Sequence, residues 1–154
     1  MFLYLARHGH ASKPSPDQPS FLTGRGKAEI ARTLSRLKPK KISFTLVWHS
    51  SKPRALQTAF LYLEALGAPG ALMEEKEELG PGGEPESVLE LIRGVKTESL
   101  LIVSHLPLLE ALTRLISRES GEKPSIPFPT AGIACFRRNK DGYFEFSWHL
   151  GPND

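Results

Sequence analysis

Apolar positions along this chain alternate between short compact runs and helical stripes. Phe2-Leu3-Tyr4-Leu5-Ala6, Phe44-Thr45-Leu46-Val47-Trp48 and Leu100-Leu101-Ile102-Val103 each end in polar residues and predict buried strands. Four stretches of helical period lie between and after them. The first carries Ala28, Ile30, Ala31, Leu34 and Leu37, opens after Thr23 as an N-cap and stops at Pro39. The second places Leu56, Ala59, Phe60, Leu63 and Leu66 inward, with the serine before Lys52-Pro53 as its cap and Gly67 as its stop. The third, Ser87 to Lys96, sets Val88, Leu91, Ile92 and Val95 on one face. A fourth opens at Pro107 and carries Leu108, Ala111, Leu112, Leu115 and Ile116. Two more strands, 131–137 and 143–149, follow around a turn at Asn139-Lys140-Asp141-Gly142.

Alternating buried strands and amphipathic helices predict an α/β fold. The expected form is a three-layer α/β/α sandwich, with a mainly parallel central sheet and an antiparallel C-terminal edge. No repeat or linker interrupts it, so residues 1–154 are expected to form one domain. The acidic and then turn-rich stretch from Met73 to Glu86 is expected on the surface, and the proline-rich segments 10–20 and 123–129 read as loops. The first of these follows a strand end and is expected to cover the mouth of any site there.

Composition narrows the function. Hydrophobic content of 40% and charged content of 24% are those of a globular chain. The single cysteine, Cys135, lies in an apolar run, which makes it a core residue and rules out an internal disulfide framework. No basic leader precedes the first apolar run, and no stretch approaches the ~20 apolar residues that span a bilayer. A cytoplasmic location and no membrane partner are expected. The net charge is only +3, and the basic residues are scattered apart from Lys38, Lys40 and Lys41, which argues against a nucleic-acid partner.

The candidate chemistry sits where strands end. Arg7 and His8 follow the first strand, Arg54 falls in the first turn of the helix after the second, and Ser104-His105 close the third. Ligands of open α/β sheets bind at the carboxyl ends of the strands. Two guanidiniums, two imidazoles and a helix N-terminus describe a pocket for a dianion, phosphate above all, because the arginine fork matches its oxygens. An imidazole is nucleophilic near neutral pH, so His8 is the candidate to attack phosphorus, with water discharging the intermediate. Neighbouring arginines repel a cation, and neither a metal nor another cofactor is expected. His10 is placed at the pocket rim. His49 and His149 are given no catalytic task, and Trp48 and Trp148 are core candidates.

Three motifs together resemble the histidine phosphatase (phosphoglycerate-mutase-like) superfamily. They are Arg7-His8-Gly9 after the first strand, Ser50-Ser51 followed by Arg54-Ala55 and Gln57-Thr58-Ala59, and Ser104-His105 after a late strand. The resemblance implies that His8 is phosphorylated and that Arg7, Arg54 and His105 complete the phosphate pocket. Leu22-Thr23 with Gly26 is similar to the family's segment after the first loop. That similarity implies substrate contact by Thr23 and Gly24, although Thr23 as a plain N-cap reads equally well. The length and the runs Leu79-Gly80-Pro81-Gly82-Gly83 and Ser104-His105-Leu106-Pro107-Leu108 resemble the SixA-type phosphohistidine phosphatase branch.

One departure bears on the substrate. Members that cleave phosphoesters carry a glutamate after the second helix to protonate the leaving alkoxide, and none of Glu74, Glu75, Glu77, Glu78 or Glu84 matches that motif. The expected substrate is therefore phosphohistidine on a protein, for example a histidine phosphotransfer domain. A phosphomonoesterase acting on a small metabolite, using Glu78 or Glu84 as its acid, is the alternative. A non-catalytic phosphate-binding module is a third, opposed by the intact set of Arg7, His8, Arg54 and His105.

Overall fold

The computed structural model describes all 154 residues. The three apolar runs form strands β1 (Phe2–Arg7), β2 (Phe44–His49) and, later in the chain, β4 (Ser99–Ser104). Between β2 and β4 lies an unforeseen strand, β3 (Gly67–Glu75), and the chain ends in β5 (Ile133–Arg138) and β6 (Phe144–Leu150). The helices are α1 (Gly24–Leu37), α2 (Pro53–Leu66), α3 (Pro85–Gly94) and α4 (Leu108–Ser120). None is long and apolar enough to cross a membrane.

The strands make one sheet in the order β3-β2-β4-β1-β5-β6. The first four run parallel, and β5 and β6 add the antiparallel edge. Side chains alternate across the pleat. Leu3, Leu5, Leu100 and Ile102 meet α3 and α4 on one face, while Tyr4, Ala6, Leu101 and Val103 meet α1 and α2 on the other. Both faces are thus covered, which is why the central strands read as continuous apolar runs rather than alternating ones. Cys135 lies in the core, as expected, and burial pushes its thiol up to about 11.

Four readings need correction. The acidic surface stretch begins inside β3, an edge strand that pairs Leu46 with Leu72 and His49 with Glu75. Edge strands tolerate glycine, proline and charge, so β3 has no apolar run to announce it. Leu79, in the same stretch, is wholly buried, and its carbonyl accepts the Ser104 hydroxyl at 2.7 Å.

Helix α2 is turned relative to its apolar stripe. Ala55, Thr58, Ala59 and Tyr62 face inward, leaving Leu56 40% and Phe60 51% exposed. Small residues let the helix lie close to the sheet, and Thr58 is held by its own contact, accepting the Gly9 N–H at 3.1 Å. The serine before Lys52 does not cap α2; Ser50 instead accepts the Lys52 N–H at 3.3 Å. Helix α1 likewise turns Ala28 and Ala31 outward and Glu29 and Thr33 inward, because both polar groups have buried partners. Thr33 donates to the Ala131 carbonyl at 2.8 Å.

Candidate active site

Parallel pairing brings three strand ends to one level. Arg7 lies opposite Ser104, the His8 N–H donates to the Ser104 carbonyl at 3.2 Å, and the Ser50 N–H reaches the Val103 carbonyl at 3.4 Å. His8, Ser50 and His105 therefore converge, although they come from three separate strand ends. Helix α2 starts just beyond and presents Arg54 in its first turn. The Gly9 segment packs against α1 so closely that a Cβ on Gly26 would run into the His10 backbone.

The hydrogen bonds assign the proton on His8. Its Nδ1 lies 2.8 Å from the Gly9 carbonyl oxygen, which can only accept, so Nδ1 carries the hydrogen. Nε2 then holds a lone pair, towards which Arg54 Nε donates at 3.4 Å. The His105 ring centroid is 4.9 Å from that of His8. His105 Nε2 sits 2.6 Å from the Ser50 hydroxyl, while its Nδ1 is buried without a partner. Arg7 donates from one terminal nitrogen to the Phe128 carbonyl at 2.9 Å, and its Nε is likewise buried and unpartnered. Unpaired buried polar groups are costly, and two of them on the residues gathered around His8 suit a site that receives an oxyanion.

Burial is the main reason both imidazoles are held neutral. It pushes His8 down to about 4 against the opposing Gly9 hydrogen bond, and Arg54 and Arg7 add to the drop. His105 is pushed down to about 3 by burial first, then by His8, Arg54, Lys52 and Arg7. Burial also lowers both arginines, which nonetheless stay charged near neutral pH.

Stability follows with a definite sign. Between the ordinary value of 6.5 and about 4, the unfolded chain binds protons at His8 that the folded chain refuses. Ligand-free protein is therefore expected to lose stability as pH falls through that window. A bound phosphate anion favours charged imidazoles, so saturating phosphate should flatten the loss. Thermal melts across the window, with and without phosphate, check this; equal slopes would refute it.

A cavity of about 390 Å³ opens above these groups, and its wall includes Arg7, His8, His10, Lys13, Arg54 and Thr130. His105 stands behind His8 and is 2% exposed. Thr23 and Gly24 are not in the wall. The Thr23 hydroxyl caps α1, accepting the Gly26 N–H at 3.0 Å, and also meets His10 Nδ1 at 2.8 Å. No carboxylate lines the cavity. Glu78 lines a separate cleft with Trp48 and Lys76, and Glu84 stands at the start of α3.

Two residues of this neighbourhood had no signal in the sequence. Thr130 lines the cavity from the proline-rich loop, held there because the Ala131 N–H donates to the His8 carbonyl at 3.0 Å. Its hydroxyl lies 3.1 and 3.0 Å from the two oxygens of Glu29, a carboxylate only 4% exposed. Glu29 Oε1 also accepts the His10 N–H at 3.0 Å. The apolar stripe of α1 gave no reason to turn a glutamate inward. His49 is buried with Nδ1 on the Ser50 carbonyl, and His149 is exposed.

A neutral imidazole lone pair among fixed guanidiniums, at the strand ends of this three-layer sandwich, is suited to phosphoryl transfer. Comparison with known proteins agrees: residues 3–83 match the histidine phosphatase superfamily (branch 1), and the chain belongs to that family of hydrolases. It is similar to the phosphohistidine phosphatase SixA of Escherichia coli (strain K12), with 30% identity over 156 residues, covering 99% of this chain and 94% of that protein. The solved structure of the protein histidine phosphatase SixA complexed with tungstate superposes with a TM-score of 0.83. It is 29% identical and covers 99% of this chain and 98% of that one. The fold is shared with phosphoglycerate mutase from Plasmodium falciparum, at a TM-score of 0.63, 17% identity and coverage of 96% and 88%.

Proposed function

We propose that this histidine phosphatase removes the phosphoryl group from phosphohistidine on a protein, through a covalent phospho-His8 intermediate. The observation that carries the chemistry is the His8 tautomer: Nδ1–H is spent on the Gly9 carbonyl, and Nε2 is left neutral beside Arg54. Nε2 attacks phosphorus as the bond to the leaving group breaks. Arg7, Arg54 and His105 take the non-bridging oxygens, where charge-assisted bonds act most strongly in a desolvated site. Water then attacks phospho-His8, releasing phosphate and restoring the lone pair.

The composition of the cavity wall supports an imidazole leaving group. An alkoxide needs a strong acid beside it, and this wall holds no carboxylate. The imidazole of phosphohistidine is a weaker base than an alkoxide and leaves far more easily. The similarity to SixA over nearly the whole chain supports the same substrate class.

The test compares rates on a histidine-phosphorylated phosphotransfer domain with those on a panel of small phosphate esters. Faster, His8-dependent loss of phosphate from the protein is expected. Faster cleavage of an ester would move the enzyme to metabolite hydrolysis, and phosphate binding without turnover on any substrate would make it a binding module.

A further inference from the structure

The wall of the cavity holds a second imidazole besides that of His8. His10 follows the nucleophile by two residues, and its backbone N–H is anchored on the buried Glu29 carboxylate at 3.0 Å. Its ring Nδ1 lies 2.8 Å from the Thr23 hydroxyl. That hydroxyl accepts the Gly26 N–H at 3.0 Å and can donate to the His10 carbonyl at 3.3 Å, which leaves a lone pair for Nδ1–H. His10 Nε2 has no protein partner and is not sealed from solvent. One ring nitrogen is thus tied to the cap of α1, and the other is free on a residue that shares the cavity wall with Arg7, His8, Arg54 and Lys13. None of these neighbours can hand over a proton easily: His8 is the nucleophile and the other three are strong bases.

We propose that His10 is the acid–base residue of this enzyme, donating a proton from Nε2 to the leaving group and then taking one from water. In the first half-reaction, His8 Nε2 bonds to phosphorus and the bond from phosphorus to the leaving nitrogen breaks. The electron pair stays on that nitrogen, which receives the His10 Nε2 proton and departs as neutral imidazole. In the second, water loses a proton to His10 Nε2 as its oxygen bonds to phosphorus, and the electron pair of the broken bond returns to His8 Nε2. Phosphate leaves and His10 is recharged. Histidine is the side chain most often used for such transfers, because one ring nitrogen can give up a proton and later take one back. Thr23, expected as a substrate contact, acts here as a positioning residue through the His10 ring.

The proposal rests on His8 as the nucleophile, and the experiment separates the two. His10→Asn keeps an amide N–H where Nδ1 stands and removes Nε2; His10→Gln is the second variant. Substrates are phosphohistidine and phenyl phosphate, whose leaving groups need a proton, and 4-nitrophenyl phosphate, whose phenolate leaves without one. Both variants are expected to lose roughly 10²–10⁴-fold on the first two substrates. The 4-nitrophenolate burst should persist at the wild-type rate, with phospho-His8 accumulating because its hydrolysis has lost a base. Equal losses on all three substrates in the first turnover, before phospho-His8 is hydrolysed, would reduce His10 to a structural role, and no first-turnover loss on phenyl phosphate or phosphohistidine would overturn the proposal. Absence of acid-labile phosphate on His8 in both quenched wild-type enzyme and the His10 variants would remove the nucleophile reading and this one with it. Wild-type cleavage of phenyl phosphate but not phosphohistidine would overturn only the substrate class, because the phenyl-to-nitrophenyl ratio still judges His10.

Discussion

Replacing His8 by alanine is expected to abolish turnover on every substrate, with kcat falling on the order of 10⁴-fold or more. No neighbour can substitute for it. His105 turns its Nε2 to the Ser50 hydroxyl at 2.6 Å, and arginine and lysine side chains stay charged. The fold should survive, because the ring's hydrogen bonds to the protein are one to the Gly9 carbonyl and one from Arg54. Removing an imidazole that burial holds neutral also removes its share of the acid sensitivity, so the variant's melting temperature should fall less between pH 6.5 and about 4. The measurements are the phenolate burst, acid-labile phosphate on the intact protein, and the melt. Wild-type turnover in a folded His8→Ala protein would end the nucleophile assignment.

Arg54→Ala is expected to cost roughly 10²–10⁴-fold in kcat/KM, the equivalent of losing two charge-assisted hydrogen bonds at about 1.5–3 kcal/mol each. Inhibition by inorganic phosphate should weaken alongside turnover, because the same guanidinium meets ground state and product. Its Nε–H, 3.4 Å from His8 Nε2, must swing to an oxyanion when substrate arrives. Arg54→Lys should recover little, since a point charge cannot reproduce the planar fork. Unchanged phosphate inhibition in Arg54→Ala would remove this residue from the clamp. Arg7 offers a poorer test: its tie to the Phe128 carbonyl makes it part of the loop scaffold as well as the pocket.

Both variants probe residues that were legible without a structure. Arg7, His8, Arg54 and His105 stand where apolar runs stop, and parallel pairing gathers such positions at one edge of a sheet. Carboxylates show the opposite case. Five glutamates between residues 74 and 84 were candidates for the proton donor, and the wall of the cavity includes none of them. The carboxylates whose charge reaches Arg7 are Glu110, in the first turn of α4, and Glu29, which holds the His10 backbone and Thr130; neither lines the cavity.

The sequence by itself determined the layered α/β architecture, the parallel centre with its antiparallel edge, and the two guanidiniums and two imidazoles of the pocket. These are local signals: an apolar run, a helical period, a polar residue at a strand end. Tertiary structure alone decided which face of α1 and α2 turns inward. Apolar residues on both helices fall in overlapping stripes, and only the small residues and the buried partners of Thr58, Glu29 and Thr33 choose between them. It alone revealed β3, because an edge strand needs no apolar run. It alone gave the proton positions on His8 and the ties of His10. Those depend on backbone carbonyls and on pairs such as Glu29 with Thr130, which stand 101 residues apart and meet only when the sheet has closed.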